Sequence, residues 1–201
     1  MRPIWLAMAS GKRPKIYTDN IMMWPVRQAE RRDWKSIQDF FKNLDSESRY
    51  LYFGAHITDE VIDHIWDRFH LQEHKFFVVE SMSDIIGVCQ IAHKDSHAEL
   101  SVAVAASHRG CGIAHSLVER AVTWCKTHEI QDVMMFCLPS NDIIPKILKK
   151  HNLLPLMLSA PSEAKFSVPG ANLLDLQKEW RSDIVSYWLN FFKKVSFSNR
   201  L

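Results

Sequence analysis

Glu99-Leu-Ser-Val-Ala-Val-Ala-Ala-Ser-His-Arg-Gly-Cys-Gly-Ile-Ala114 decides how this chain is built. Glu99 to Ala105 reads as a strand, Arg109 to Gly112 as a glycine-containing turn, and a helix starts at once at Ile113. The helix runs to His128 with an apolar stripe of Ile113, Leu117, Val118, Ala121, Val122 and Cys125. Small residues at the turn let backbone N–H groups converge on one point without Cβ interference. The helix N-terminus adds partial positive charge there, and the result is a cradle suited to a phosphate or pyrophosphate. The segment is neither a Walker A loop, since it lacks the Gly-Lys-Ser/Thr ending, nor a GxGxxG fingerprint.

Working outward, two strand-like runs precede it, Phe76 to Glu80 and Ile85 to Ala92. Turn chemistry at Ser83-Asp84 and Lys94-Asp95-Ser96 joins them to the Glu99 strand as an antiparallel meander. Further upstream, Ile21 to Arg27 predicts a first strand and Glu30 to Asn43 an amphipathic helix. Thr58 caps a second helix striped by Val61, Ile62, Ile65, Trp66 and Phe69. Downstream, Val133 to Leu138 reads as a buried strand and Ile143 to His151 as a helix with Pro145 in its first turn. Leu153 to Leu158 and Ala164 to Val168 pair as a hairpin. After Pro169-Gly170, the row Leu173, Leu176, Trp180, Ile184, Tyr187, Phe191 and Val195 marks a long amphipathic helix. This order predicts an α/β fold with a mixed sheet. The division is residues 1–20 as an N-terminal tail, 21–170 as the domain and 171–201 as a C-terminal helical extension.

Composition narrows the function classes. At 47% hydrophobic the chain has enough apolar residues for a real core, which excludes a largely disordered protein. The formal net charge of +2 gives no basic footprint, so nucleic acid is not expected as a partner. No run approaches the roughly 18 apolar residues of a membrane span. Cys89, Cys111, Cys125 and Cys137 have no CxxC spacing and read as reduced thiols of a cytoplasmic protein. His70 and His74 stand four apart without a third ligand, so no metal is expected.

With these residues in view, the chain resembles the GNAT superfamily of N-acetyltransferases. Arg109-Gly110-Cys111-Gly112-Ile113-Ala114 fits the family signature Arg/Gln-x-x-Gly-x-Gly/Ala. Val26-Arg27-Gln28-Ala29 with Asp33 is similar to the family's first strand and helix start. Asp45-Ser46-Glu47-Ser48-Arg49-Tyr50-Leu51-Tyr52-Phe53 resembles a Ser-x-x-Ser-x-Tyr-x-x-Phe stretch of bacterial protein-lysine acetyltransferases. Asn141, Ile144, Ile147 and Lys150 fall on the family's late helix. The resemblance covers about residues 21–160. It implies a single GNAT-type, mixed and mostly antiparallel sheet flanked by helices, with the C-terminal amphipathic helix as an addition.

The resemblance also implies acetyl-CoA as cosubstrate. Its pyrophosphate would lie on the amides of Arg109, Gly110, Cys111, Gly112, Ile113 and Ala114. Val102 and Val104 would hold the pantetheine through their backbone, and Asn141 would approach the far arm. An alkylamine, with a pKa of ~10.4 for lysine, must lose a proton before attack. Glu99, in Ala98-Glu99-Leu100 where those relatives carry Ala-Glu-Phe, is the implied base. Strand alternation sets Glu99, Ser101 and Ala103 opposite Leu100, Val102 and Val104. The family tyrosine that protonates the leaving thiolate falls at Leu148, so water, Ser140 or unassisted departure replaces it. Gly-Phe of the family is Asn152-Leu153 here. His108 and Cys111 are read as packing and backbone positions. The acceptor is expected to be a primary amine, either a protein lysine or N-terminus or a small molecule. A non-catalytic acetyl-CoA-binding regulator is the third reading. The aromatic C-terminal helix is expected to pack on its own domain, with a homodimer interface as the next reading.

Overall fold

The computed structural model describes residues 16–18, 21–67, 74–82, 84–136, 143–150, 157–158 and 163–198. A hairpin of β1 (Ile16–Thr18) and β2 (Ile21–Met23) forms its own two-stranded sheet and crosses the position-20 boundary drawn from sequence. The main sheet has seven strands: β3 (Arg27–Gln28), β4 (His74–Ser81), β5 (Asp84–Lys94), β6 (His97–Val104), β7 (Asp132–Phe136), β8 (Met157–Leu158) and β9 (Glu163–Ser167). Their order is β3-β4-β5-β6-β7-β9-β8, antiparallel everywhere except between β6 and β7. The helices are α1 (Trp34–Lys42), α2 (Ser46–Phe53), α3 (Asp59–Asp67), α4 (Ile113–Thr127), α5 (Ile143–Lys150) and α6 (Leu173–Ser198). None of the described helices is long and apolar enough to cross a membrane.

Two cores sandwich the sheet. On β4, Phe77 and Val79 join α4, Trp24, Cys89 and Leu100 on one face, while Phe76 and Val78 join α1 and α3 on the other. A strand covered on both faces has no polar side to show, which is why it reads as a continuous apolar run. At its edge Arg27 is buried, with Nη1 and Nη2 donating to Asp33 at 2.6 and 2.8 Å and Nη2 to Glu80 at 2.5 Å. Burial alone would lower the Arg27 pKa, but these carboxylates outweigh it and keep the guanidinium charged.

Three departures from the expected elements have physical causes. Ile21 to Arg27 is not one strand: Pro25 has no N–H for a ladder, and the Trp24 N–H donates instead to Ser116 Oγ at 3.0 Å. α2 was not expected as a helix because it buries only Ser48, so it has no apolar period to read. It is delimited by caps: the Ser48 N–H donates to Asp45 Oδ1 at 3.0 Å, and Gly54 ends it at φ 70°.

The third departure is α6. It packs on its own body, against α4 and β3, but through its polar side. Arg120 of α4 donates from Nη1 to Glu179 at 2.5 Å and from Nη2 to Asp183 at 3.0 Å, with its Cζ 4.6 Å from the Phe77 ring centroid. Lys126 reaches Asp175 at 3.4 Å, and the Gln28 N–H donates to Ser186 Oγ at 3.3 Å. Asn172 caps the helix, accepting from the Asp175 N–H at 2.9 Å. Of the apolar row expected to face the domain, Leu173, Leu176, Trp180, Ile184 and Tyr187 face outward instead.

Candidate functional site

Among the described residues, β6 pairs with β7 from His97–Asp132 to Leu100–Met135, and β7 runs to Phe136 alongside β9. The Ala105 N–H donates to Ile86 O at 2.9 Å, so the residues two apart from it, Ala103 and Ser101, also turn their peptide groups toward β5. Val102 and Val104 therefore direct their N–H and C=O away from β5.

β6 leads to the glycine turn. Gly110 and Gly112 adopt φ of 72° and 81°, the left-handed region that a Cβ makes costly. Open space lies where a Cβ at Gly110 would stand. Trp24 pins the turn from beneath, its Nε1 donating to Cys111 O at 2.7 Å. In a trans peptide the following N–H points the opposite way, so the Gly112 N–H is turned away from Trp24. The first intrahelical bond of α4 runs from Ser116 N–H to Gly112 O at 3.1 Å, which leaves the Ile113 and Ala114 amides as helix-start donors. The Arg109 amide differs from expectation: it closes the preceding turn onto Ala106 O at 3.3 Å. The Arg109 side chain runs to α2, where Nη2 donates to Asp45 Oδ2 at 2.5 Å and to Ser48 Oγ. Burial would raise the Asp45 pKa, but Ser48 hydrogen bonds and the Arg109 charge hold it below the ordinary value. His108 accepts from or donates to Ser107 Oγ at 2.9 Å, beside the turn.

At the other end of β6, about 17 Å from Val104 by strand rise, Glu99 sits on the face shared with Ala103. It lines a cavity of about 630 Å³ together with His74, Lys94, His97 and Asp132. In register, His74, Ala92, Glu99 and Met134 form one row across four strands, and small Ala92 leaves room between His74 and Glu99. A hydrogen-bond chain that sequence reading missed ends in this row. Tyr52 Oη donates to Gln90 Oε1 at 2.7 Å, and Gln90 Nε2 lies 3.1 Å from His74 Nδ1. In that amide orientation Nδ1 accepts, so the His74 proton is on Nε2. Burial first, then Cys89 and Glu99, push the Tyr52 phenol well above its usual pKa, so it remains a neutral donor. The only sequence signal for this chain was Tyr52 within the Ser46–Phe53 stretch.

Leu148 is in the core beside Ile147, so the position of the family tyrosine faces apolar neighbours. Asn141, Ser140, Cys137, His70 and Asn152-Leu153 lie outside the described residues. Cys89 and Cys125 are free and buried; burial pushes the Cys125 thiol to about 12 and Cys89 higher still. Among the described residues no three His, Cys, Asp or Glu side chains gather as a metal site.

The sequence model of the acetyltransferase (GNAT) family matches residues 26–144. Among solved structures, the GNAT domain of S. lividans PAT superposes with a TM-score of 0.59 at 16% identity, over 71% of this chain and 89% of that one. Ribosomal-protein-alanine N-acetyltransferase from Brucella melitensis gives 0.52 at 14% identity, over 71% and 96%. Spermidine N-acetyltransferase from Vibrio cholerae, solved with CoA and spermine, gives 0.52 at 18% identity, over 71% and 92%. At these identities the likeness is one of fold.

Proposed function

The chain belongs to the acetyltransferase (GNAT) family, and we propose that it moves an acetyl group from acetyl-CoA to a primary amine of a protein, a lysine or an N-terminus. The observation that supports this reading is the run of β6 into the Gly110–Gly112 turn and α4, with Glu99 near the start of the strand and the Val102 and Val104 peptide groups turned away from β5. The donor set fits the cosubstrate: Gly110, Cys111, Gly112, Ile113 and Ala114 offer amides to a diphosphate, and Val102 and Val104 offer peptide groups to an amide-containing arm. Acetyl-CoA supplies the thioester carbonyl that the amine attacks. Glu99 takes the ammonium proton, directly or through a water molecule, so that the nitrogen lone pair is free. The new C–N bond forms as C–S breaks, sulfur departs as a thiolate, whose modest basicity (~8.5 for a thiol) makes departure without a tyrosine feasible, and the proton that the amide nitrogen sheds passes to that thiolate or to water. His74, oriented by Gln90, stands beside Glu99 on the acceptor side. The reduced, buried Cys89 and Cys125 suit the cytoplasm, where acetyl-CoA is the donor.

A small-molecule amine is the second reading, and the volume of the Glu99 cavity, about 630 Å³, is within the range of small-ligand sites. One set of assays separates the readings. Calorimetry gives acetyl-CoA binding, and release of free CoA is followed with lysine peptides, N-terminal peptides and small amines. Gly112→Asp places a carboxylate at the cradle and abolishes binding. Glu99→Gln lowers kcat by ~10²–10⁴ while the acetyl-CoA Kd holds. An unchanged kcat in Glu99→Gln overturns the base assignment, and binding without CoA release on any amine leaves the regulator reading standing.

A further inference from the structure

The outer face of α6 stands open to solvent. Leu173 is 80% exposed, Trp180 67%, Tyr187 65%, Leu176 51% and Trp188 50%, with Ile184 among them. A fully exposed aromatic side chain offers about 150–250 Å², so this face shows on the order of 900 Å² of mostly apolar surface. That exceeds the largest patch on a typical monomer, roughly 300–600 Å². It matches the ~800 Å² per subunit of a stable interface.

The face is centred on Ile184, with Trp180 and Trp188 four positions either side of it. A twofold interface requires self-complementarity: where residue i of one copy meets residue j of the other, j of the first meets i of the second. At 100° per residue, Trp180 and Tyr187 lie on one flank of the row, and Arg181 and Trp188 on the other. Reversing a second copy about Ile184 therefore brings Trp180 against the partner's Tyr187 and Arg181 against the partner's Trp188, an aromatic pair and a cation–π pair, each occurring twice. The acids of α6 are engaged on the far side: Glu179 and Asp183 hold Arg120, and Asp175 holds Lys126.

We propose that the chain is a homodimer in which two α6 helices pair antiparallel about a twofold axis at Ile184. The polar side of α6 ties it to α4 of its own copy, and the apolar side is kept for the second copy. This arrangement places the interface on the α4 face of the sheet, away from the Glu99 face, so both sites stay open. It does not depend on which amine is acetylated.

The test is sedimentation equilibrium of the full chain at micromolar concentration. The unaltered chain sediments as a dimer. Trp180→Glu alone and Tyr187→Lys alone each sediment as monomers, with unchanged circular dichroism and acetyl-CoA affinity. Mixing those two variants restores a dimer, because antiparallel register sets the new Glu against the new Lys and leaves one native pair intact. Parallel pairing would set the introduced Glu of one chain against the unaltered Trp180 of the other and give no rescue. A monomeric unaltered chain overturns the proposal, as do single variants that stay dimeric or a mixture that stays monomeric. Co-sedimentation of a monomer with vesicles of anionic phospholipid assigns the face to membrane instead, and also overturns it.

Discussion

Replacing Gly87 by alanine tests whether the glycine turn is positioned by packing from below. Gly87 lies in β5, opposite Val104, with ordinary extended backbone, so alanine is conformationally allowed. On conformational entropy alone the change would stabilise the fold by about 0.4–1 kcal/mol through the unfolded chain. Sterically it is resisted. A Cβ at position 87 would stand 2.6 Å from Ile113 Cγ2 and 3.1 Å from Leu117 Cδ1. Ile113 is β-branched, helical and buried, and Leu117 is buried beside it, so neither has another rotamer to escape into. The relief must come from movement of the first turn of α4, at an overpacking cost of about 1–3 kcal/mol. The 2.6 Å approach puts the overpacking cost in the upper half of that range, so the net is a loss of about 1–2.6 kcal/mol, or roughly 2–10 °C in Tm for a chain of this size. Since Ile113 begins the helix that the cradle depends on, acetyl-CoA affinity should fall by about three- to tenfold as well. Thermal denaturation and calorimetry read the two effects. A double-mutant cycle adds a check: Ile113→Ala costs about 2–5 kcal/mol in the parent but less in Gly87→Ala, where the clash is removed. A Tm at or above the parent value with unchanged acetyl-CoA affinity would refute the reasoning.

The remaining predictions concern the other elements around the site. Asp45→Ala removes the cap of α2 and costs about 1 kcal/mol at neutral pH. The Asp45 pKa is held below its unfolded value, so the stability from its ionised form is present above that value and is lost as pH falls below about 4; denaturation curves of parent and variant should therefore converge at acid pH. Gln90→Met deletes both hydrogen bonds of the Tyr52–Gln90–His74 chain and releases the His74 ring. Steady-state kinetics should show KM for the amine raised by about three- to tenfold, the weight of about one hydrogen bond, with the acetyl-CoA Kd unchanged.

What the sequence made legible follows from which signals are local. The β5–β6 meander, the strand-turn-helix at Gly110–Gly112 and the alternation that sets Glu99 opposite Leu100 are all encoded within a few residues of themselves. The structure has each of them. α2 escaped because its helix is written in Asp45 and Gly54, not in an apolar period. The orientation of α6 escaped because its inward face is polar, and only its pairing with a distant helix makes that face buriable. One signal was available. Arg120 stands three residues after Leu117 and four before Trp124, inside the apolar stripe of α4. A charge on a buried stripe demands a carboxylate partner from elsewhere, and Glu179 with Asp183 was the acidic pair at helical spacing that could supply it. The row Tyr52–Gln90–His74 joins three separate elements, so no spacing in the sequence could have revealed it.

Arg109 changes how the two halves of the candidate site relate. As read from the motif, the residue belongs to the cradle through its backbone amide. In the structure its amide closes the turn on Ala106 and its guanidinium is bound to Asp45 and Ser48 at the start of α2. The binding power of the cradle then rests on amides and the α4 terminus, which are fixed by Trp24 and Ser116 and need no rearrangement to receive an anion. The same α2 ends one turn later in Tyr52, which holds Gln90 and through it His74 beside Glu99. A rigid helix of about 12 Å thus links the donor turn at one end to the acceptor-side hydrogen-bond chain at the other.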